Sequence, residues 1–362
     1  MNWIATNALA GFFLGLLRLL ALFSLFGAVE PGRSAPLPGP GIRSKETIDR
    51  VTVKHWLDRW QQDILAHNPL RHCSMEAGEK IGWQIYPFLE GFYEGYRATA
   101  SPVRVDRFIA CADAWLARAV REPDGFVGWP KTGAAGTDVD NLDDFYADSM
   151  LGEAMALTPV VRMAGEIRKN PVLKQKYGRR ADADVALSEQ IFRKWDARGG
   201  WRTTNAGGMI TVVLPFGIER KTADWTAGYA SRSSPQIGLS HPDNKANFIA
   251  RWLLAMFDVT GKAIYRDRAA QWFITMKSRM HLKSDGTYKI WNYWQPAGAW
   301  DYDPHGAPRH WIGVHPNAGY YDTDVSGIVR LGASYRARQG RHRTTGQNGN
   351  RRSALLIRAR SL

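Results

Sequence analysis

The stretch NFIARWLLAMFDVTGKAIYRDRAAQWFITMKSRM (247–280) decides the fold. Its first part, 247–259, is apolar nearly all round, the composition of a helix buried on both sides. The turn Val259-Thr260-Gly261-Lys262 follows. The segment 263–282 then places Ala269, Trp272, Phe273, Met276 and Met280 on one face at i, i+3, i+4, i+7 and i+11, with Arg, Lys and Gln opposite. An inner helix is followed by an outer one.

Outward from this pair the same unit recurs. Residues 84–119 read as a helix ending LEGFYEGYRATAS and then PVRVDRFIACADAWLARA, with Phe108, Ala112, Trp115 and Leu116 on one face. Residues 142–197 read as LDDFYADSMLGEAMALTPVVRMAGEI followed by NPVLKQKYGRRADADVALSEQIFRKW. A fourth unit begins at GYYDTDVSGIVRLGASY (319–335), where an arginine-rich tail replaces the expected outer helix. Small β-hairpin insertions are expected near 200–216 and 284–296.

Composition excludes several classes. Of the formal charge of +14, eight arginines in 336–362, with no acid beside them, account for more than half. The basic character is a property of this tail, which lacks aromatics and periodicity and reads as disordered; nucleic acid is not expected as a partner. Two cysteines, Cys73 and Cys111, cannot build a disulfide scaffold or a four-thiolate zinc site, and either a single disulfide or two free thiols fits them. The dinucleotide, P-loop, α/β-hydrolase and zincin motifs are absent. Residues 8–28 are apolar except for Arg18 and Ser24, and a Pro/Gly run follows at 31–41. We read 1–30 as a signal peptide or membrane anchor, 31–45 as a linker, 46–335 as the folded domain and 336–362 as the tail. The expected location is secreted, periplasmic or membrane-anchored, with any membrane contact made through the N-terminal segment.

Paired inner and outer helices are the plan of an α/α toroid. The segments FIARWLLAMFDVTGKAIYRDRAAQWF, GTYKIWNYW and HPNAGYYDTDVSGIV resemble the six-hairpin glycosidase-like and polysaccharide-lyase superfamily over roughly 80–335. The resemblance implies an all-α domain, an α/α toroid of helical hairpins with small β insertions. About four hairpins fall short of six, so the ring is expected to be incomplete, with an ordinary helical bundle as the alternative. It also implies that the loops entering the inner helices gather at one end of the ring. These loops are 78–88, 137–149, 239–247 and 314–324, and they are polar and aromatic-rich, whereas the opposite turns are plain.

The candidate chemistry lies in those loops. His315, Tyr320, Tyr321 and Asp322, with His241 and Asp144, are the candidate catalytic groups. Eliminating across a uronate needs its carboxylate neutralised while a His or Tyr moves the proton. Trp291, Asn292, Trp294, Asn247, Arg309, Trp311 and Tyr146 are the candidate substrate-binding groups, since flat indoles stack on the apolar faces of sugars. In the acidic run Asp138, Asp140, Asp143, Asp144 and Asp148, one Asp with Asp322 or Asp324 across the ring would make the acid/base pair of an inverting glycosidase. Asp138, Asp140 and Asn141 offer hard oxygens to calcium, the one cofactor kept in view, and Asp140 or Asn141 alternatively caps a helix. The spacing of His305, His310 and His315, beside Asp301 and Asp303, fits neither helix nor strand geometry for a transition metal, and none is expected. The leading expectation is an enzyme cleaving a uronate-containing polysaccharide by β-elimination. A glycoside hydrolase with paired Asp residues and a non-catalytic polysaccharide-binding or scaffolding protein are the alternatives.

Overall fold

A computed structural model describes residues 50–122, 124–132, 145–213, 217–219, 238–286, 288–290, 293–309, 319 and 324–327. The N-terminal apolar segment, the linker and the arginine-rich tail lie outside these residues. From Val51 on, the described elements belong to one compact unit. Among the described residues no helix is long and apolar enough to cross a membrane.

Two short-range helices open the unit, α1 (Arg50–Ala66) and α2 (Pro69–Met75). A π-helical turn, Ile81–Ile85, runs into α3 (Tyr86–Thr99), which doubles back into α4 (Pro102–Leu116). The second hairpin is α5 (Met150–Lys169) with α6 (Pro171–Ala197), and the third is α7 (Asp243–Thr260) with α8 (Ala263–Arg279). The turns follow local chemistry. Left-handed residues, Ala100 at φ 53 and Gly261 at φ 70, close α3 and α7. Proline occupies the first turn of α4 and α6, where its missing N–H costs nothing. Asn170 caps α6 by accepting from the Val172 and Leu173 amides at 3.0 and 3.2 Å.

The inner helices α3, α5 and α7 run side by side in one direction. Arg162 of α5 donates to Glu90 and Glu94 of α3 at 2.7 and 2.8 Å, and further along Arg97 of α3 meets Glu166 of α5 at 3.2 Å. Lys245 of α7 sits level with Glu79, and Arg251 one helical stretch later is level with Tyr86. Nearly every residue of α5 from Met150 to Ile167 is buried, whereas α8 buries only Tyr265, Ala269, Trp272, Thr275, Met276 and Arg279. The outer helices adjoin one another: Lys176 of α6 pairs with Asp106 of α4 and Lys262, at the head of α8, with Glu189 of α6. This is the layered hairpin plan of an α/α toroid, drawn as an arc of three hairpins. A fourth inner helix starts at 324–327, where the Asn247 amide donates to the buried Asp324 carboxylate at 2.6 Å.

Each outer helix hands the chain to a β-hairpin before the next inner helix. After α4 come β1 (Val120–Arg121) and β2 (Val127–Gly128). β3 (Lys131–Thr132) and β4 (Phe145–Ala147) follow, and after α6 come β5 (Trp201–Thr203) and β6 (Met209–Thr211). β7 (Gly217–Glu219) pairs with β4 in a three-stranded antiparallel sheet ordered β3-β4-β7. After α8 come β8 (Met280–Leu282) and β9 (Tyr288–Ile290). The insertions expected near 200–216 and 284–296 are thus present, β8 beginning slightly earlier, and further hairpins were not foreseen. One reading is corrected: LDDFYADS does not begin the inner helix. Phe145–Ala147 is a strand, because its aromatic, extended-favouring residues find a partner edge at Gly217–Glu219. The helix starts after Ser149, whose hydroxyl accepts from the Gly152 amide at 3.2 Å.

Cys73 of α2 and Cys111 of α4 form a disulfide across 38 residues, both cysteines fully buried. In the same helical layer, Trp60 of α1 fills the space a side chain would need at Gly91 of α3 and meets Phe92 edge-on at 5.2 Å. Replacing both cysteines by serine should therefore lower the unfolding free energy by about 3–4 kcal/mol, the loop-closure contribution for this span. Urea titrations of both proteins, with and without reductant, check this; equal midpoints for the wild type in oxidising and reducing buffer would refute it.

Candidate functional site

Because α3, α5 and α7 are parallel, their N-terminal ends share one face of the arc, and the outer helices deliver their β-hairpins to that same face. Helix N-termini present unpaired N–H groups and the positive end of the helix dipole, so acidic and polar side chains gather there. Glu79, Asp148, Ser149, Glu153, Ser240, His241, Asp243, Asn244 and Asn247 are all buried at this end. The opposite turns hold no comparable set among the described residues.

One strip at this end combines an accessible aromatic with fixed charge. Trp83, in the π-helical turn, is 38% exposed, and its indole N–H donates to Glu79 Oε1 at 2.9 Å. Lys245 Nζ donates to both oxygens of Glu79 at 2.9 and 3.3 Å. Phe248, one turn after Lys245, takes Trp83 and Tyr86 edge-on at 6.0 and 5.8 Å. The Arg251 guanidinium lies 5.3 Å from the Phe248 ring centre and donates to the Tyr86 hydroxyl at 3.4 Å. Glu90 closes the strip between Arg162 at 2.7 Å and Arg251 at 3.7 Å. Burial, with the Glu90 charge adding to it, raises the Tyr86 pKa, so this phenol keeps its proton. The result is a clamped indole with two cations and a protonated phenol beside it.

Beneath the head of α5 lies a second, fully enclosed group. Lys194, near the end of α6, is wholly buried and donates to Glu153 at 2.6 Å, Asp148 at 2.8 Å and the Val127 carbonyl at 2.9 Å. Trp195 Nε1 donates to the other Glu153 oxygen at 2.6 Å. Arg198 pairs with Glu122, Asp124 and Asp148. Glu122 and Asp148 converge over Gly128, where a side chain would collide with both carboxyls. Burial, and then the Asp148 charge, pushes Glu122 up to about 10, so it is a neutral acid sharing its proton with Asp148. Burial works against the Asp148 charge, but Lys194, the Glu122 proton and Arg198 outweigh it and hold Asp148 below the usual range. Burial raises Glu153 to about 7.

The residues singled out in the sequence fall in three groups. His315, Tyr320, Tyr321, Asp322, Asp144, Trp291, Asn292 and Trp311 lie outside the described residues. So do Asp138, Asp140, Asn141 and Asp143. Tyr146 is in strand β4, paired with Thr132 and Ile218. The described remainder is held by neighbouring groups. His241 is buried with Nδ1 2.9 Å from Thr211 Oγ1, and burial takes its pKa down to about 3, so the imidazole is neutral at neutral pH. Asn247 is fully buried and joins three helices, donating to Asp324 and accepting from Trp272 Nε1 at 2.7 Å. Trp294 is buried and donates to the Ser240 carbonyl at 2.7 Å. Arg309 is exposed and donates to the Trp300 carbonyl at 3.1 Å. Asp301, buried, accepts from the Ser240 amide and hydroxyl and the Ala297 amide, and Asp303 accepts from the His305 and Ala307 amides. Among the described residues no group of His, Cys, Asp or Glu is arranged to hold a metal ion. The sequence pointed to the loop 78–88 but not to Glu79, Trp83 or their partner Lys245.

No protein-family model matches this chain, and no curated protein matches it. Among solved structures it is similar to a D-mannose isomerase at 16% identity and TM-score 0.35, over 60% of this chain and 46% of that one. It is also similar to a GH76 alpha-mannanase from Bacteroides thetaiotaomicron at 10% identity and TM-score 0.32, over 73% of this chain and 71% of that one. The chain spans less than half the length of the isomerase. The hairpin layering above, and not these likenesses, carries the fold.

The enclosed carboxyls make a signed prediction. Glu122 titrates near 4.5 when unfolded and near 10 when folded, so between those values the folded chain keeps a proton that the unfolded chain has lost. Stability therefore falls as pH rises through that window, and Glu153 adds to the fall up to about 7. His241 acts oppositely between about 3 and 6.5. Glu122→Gln, a neutral copy of the protonated acid, should flatten the alkaline decline in urea midpoints between neutrality and pH 9, whereas a slope equal to wild type would sink the assignment. Lys194→Met should cost about 3–5 kcal/mol by stranding buried carboxylates.

Proposed function

We propose that this protein is a carbohydrate-active enzyme that binds its substrate at the N-terminal ends of the inner helices. The observation that carries the reading is the Trp83 indole, held by Glu79 and exposed at the end where the inner helices begin. An indole fixed in this way offers a flat apolar face for the C–H face of a sugar ring while its edge is already satisfied. Polar partners that fix a ring's hydroxyl or acid groups stand beside it in Lys245, Tyr86 and Arg251.

Within that class the charges favour a uronate-containing polymer cleaved by β-elimination. In that reaction the C5 proton goes to a base, the C4–O bond breaks with protonation of the leaving oxygen, and a C4=C5 double bond forms. The carbanion-like charge needs a neutralised uronate carboxylate, and Lys245 shares the Glu79 carboxylate with the indole. Both carboxylates of the strip are committed to cations, Glu79 to Lys245 and Glu90 to Arg162, which supports elimination over an acid/base carboxyl pair. Tyr86, kept protonated, suits a donor to the leaving oxygen.

A panel of polysaccharides tests the reading. A uronate polymer should yield products absorbing in the ultraviolet from the new double bond, and Trp83→Ala should raise KM several-fold or more with the melting temperature unchanged. Reducing ends without that absorbance would replace elimination by hydrolysis, and binding without products would make the protein a non-catalytic polysaccharide binder. No binding to any member would overturn the carbohydrate reading.

A further inference from the structure

The end of the domain opposite the candidate site has a composition of its own. Here the α3–α4 and α5–α6 turns lie side by side, with α1 packed against the head of α4. Asp106 of α4 accepts from Lys176 Nζ at 3.0 Å and from the Tyr177 hydroxyl, so the heads of α4 and α6 lie side by side. Arg104 stacks on Trp60 at 5.5 Å, which places the middle of α1 beside the head of α4, with Trp56 one turn earlier on the same helix. Three large apolar side chains stand out from this end: Trp56 at 43% exposure, Val103 at 53% and Val172 at 73%. Single exposed apolar residues are ordinary. These three differ in coming from three neighbouring helices and in what surrounds them.

The surroundings are cationic. The 97–107 turn carries Arg97, Arg104 and Arg107 against Asp106. The 166–176 turn carries Arg168, Lys169, Lys174 and Lys176 against Glu166. Lys54, Lys169 and Lys176 are paired with Asp58, Glu166 and Asp106, yet their side chains stay 77%, 73% and 63% exposed, so the ammonium groups remain open to a second anion. An indole and branched aliphatics ringed by lysines is the chemistry of a bilayer headgroup region, where Trp settles at the interface and cations meet anionic phosphates. The sequence adds an independent pointer, since α1 follows the apolar stretch 8–28 through a short Pro/Gly linker.

We propose that this end of the folded domain rests on an anionic lipid surface. Trp56, Val103 and Val172 sit at headgroup level, and Lys54, Lys169, Lys174 and Lys176 contact lipid phosphates. The inner-helix N-terminal end, with Trp83, then faces away from the bilayer.

The experiment uses the full chain, in which the native cysteines are bonded to each other. Single cysteines replace Val103, Val172 or, at the other end, the 63% exposed Leu282, and carry an environment-sensitive fluorophore. Circular dichroism first confirms that each labelled protein folds. With phosphatidylcholine vesicles containing phosphatidylglycerol, the labels at 103 and 172 should shift to the blue and lose intensity to nitroxides on the lipid headgroups. The label at 282 should not change. The response should weaken several-fold in vesicles of phosphatidylcholine alone and in the Lys169→Glu, Lys174→Glu double variant. Three results would overturn the proposal. Labels at 103 and 172 could stay in water while the chain sediments with vesicles, meaning that 8–28 alone tethers it. They could shift without lipid, meaning that a second copy covers them. Equal quenching at 282 would mean that no particular end faces the lipid.

Discussion

A lysine with no access to water sets the geometry of the end where the inner helices begin. Lys194 joins the head of α5, through Asp148 and Glu153, to the end of α6 and to the carbonyl of Val127 in the β1–β2 hairpin. Burying an ammonium costs several kcal/mol, and only a complete set of acceptors offsets it. That requirement is strict about position. The strand–helix junction at Ala147–Met150 must place Asp148, and the hairpin must bring Glu122 over Gly128 to share its proton. Arg198 then ties the hairpin to α6.

From that fixed point the two ends of the arc diverge in character. Inner helices begin where outer helices and their β-hairpins deliver strands, loops and acids, so polar groups accumulate at one end. The other end consists of short turns closed by a left-handed residue or an N-capping asparagine, and its side chains need satisfy only themselves and the solvent. The candidate site sits at the first end, where helix heads supply donors. The Glu79–Trp83–Lys245 clamp is its accessible part.

The layering of the fold was legible because an inner helix must be apolar all round and an outer one on one face only. That contrast separates 247–259 from 263–282, and the buried sets of α7 and α8 follow it. The start of α5 was misread because Phe145–Ala147 becomes a strand only when Gly217–Glu219, far along the chain, lies beside it. The site was less legible for a similar reason. The loop containing Trp83 stood out by composition, but its ion pair spans 166 residues and no local pattern announces it. Polar residues in functional-looking loops also serve the core: His241 and Asn247 carry suggestive chemistry and spend it on Thr211, Asp324 and Trp272.

The most direct test of the central claim is where a bound sugar shields the protein. Hydroxyl-radical footprinting of the full chain, with and without an acidic oligosaccharide at saturating concentration, reports the oxidation of each exposed side chain. The account predicts that Trp83 is protected while Trp56, at the opposite end, oxidises as before. Unchanged oxidation of Trp83, with protection appearing at Trp56 or on the outer helices, would contradict it.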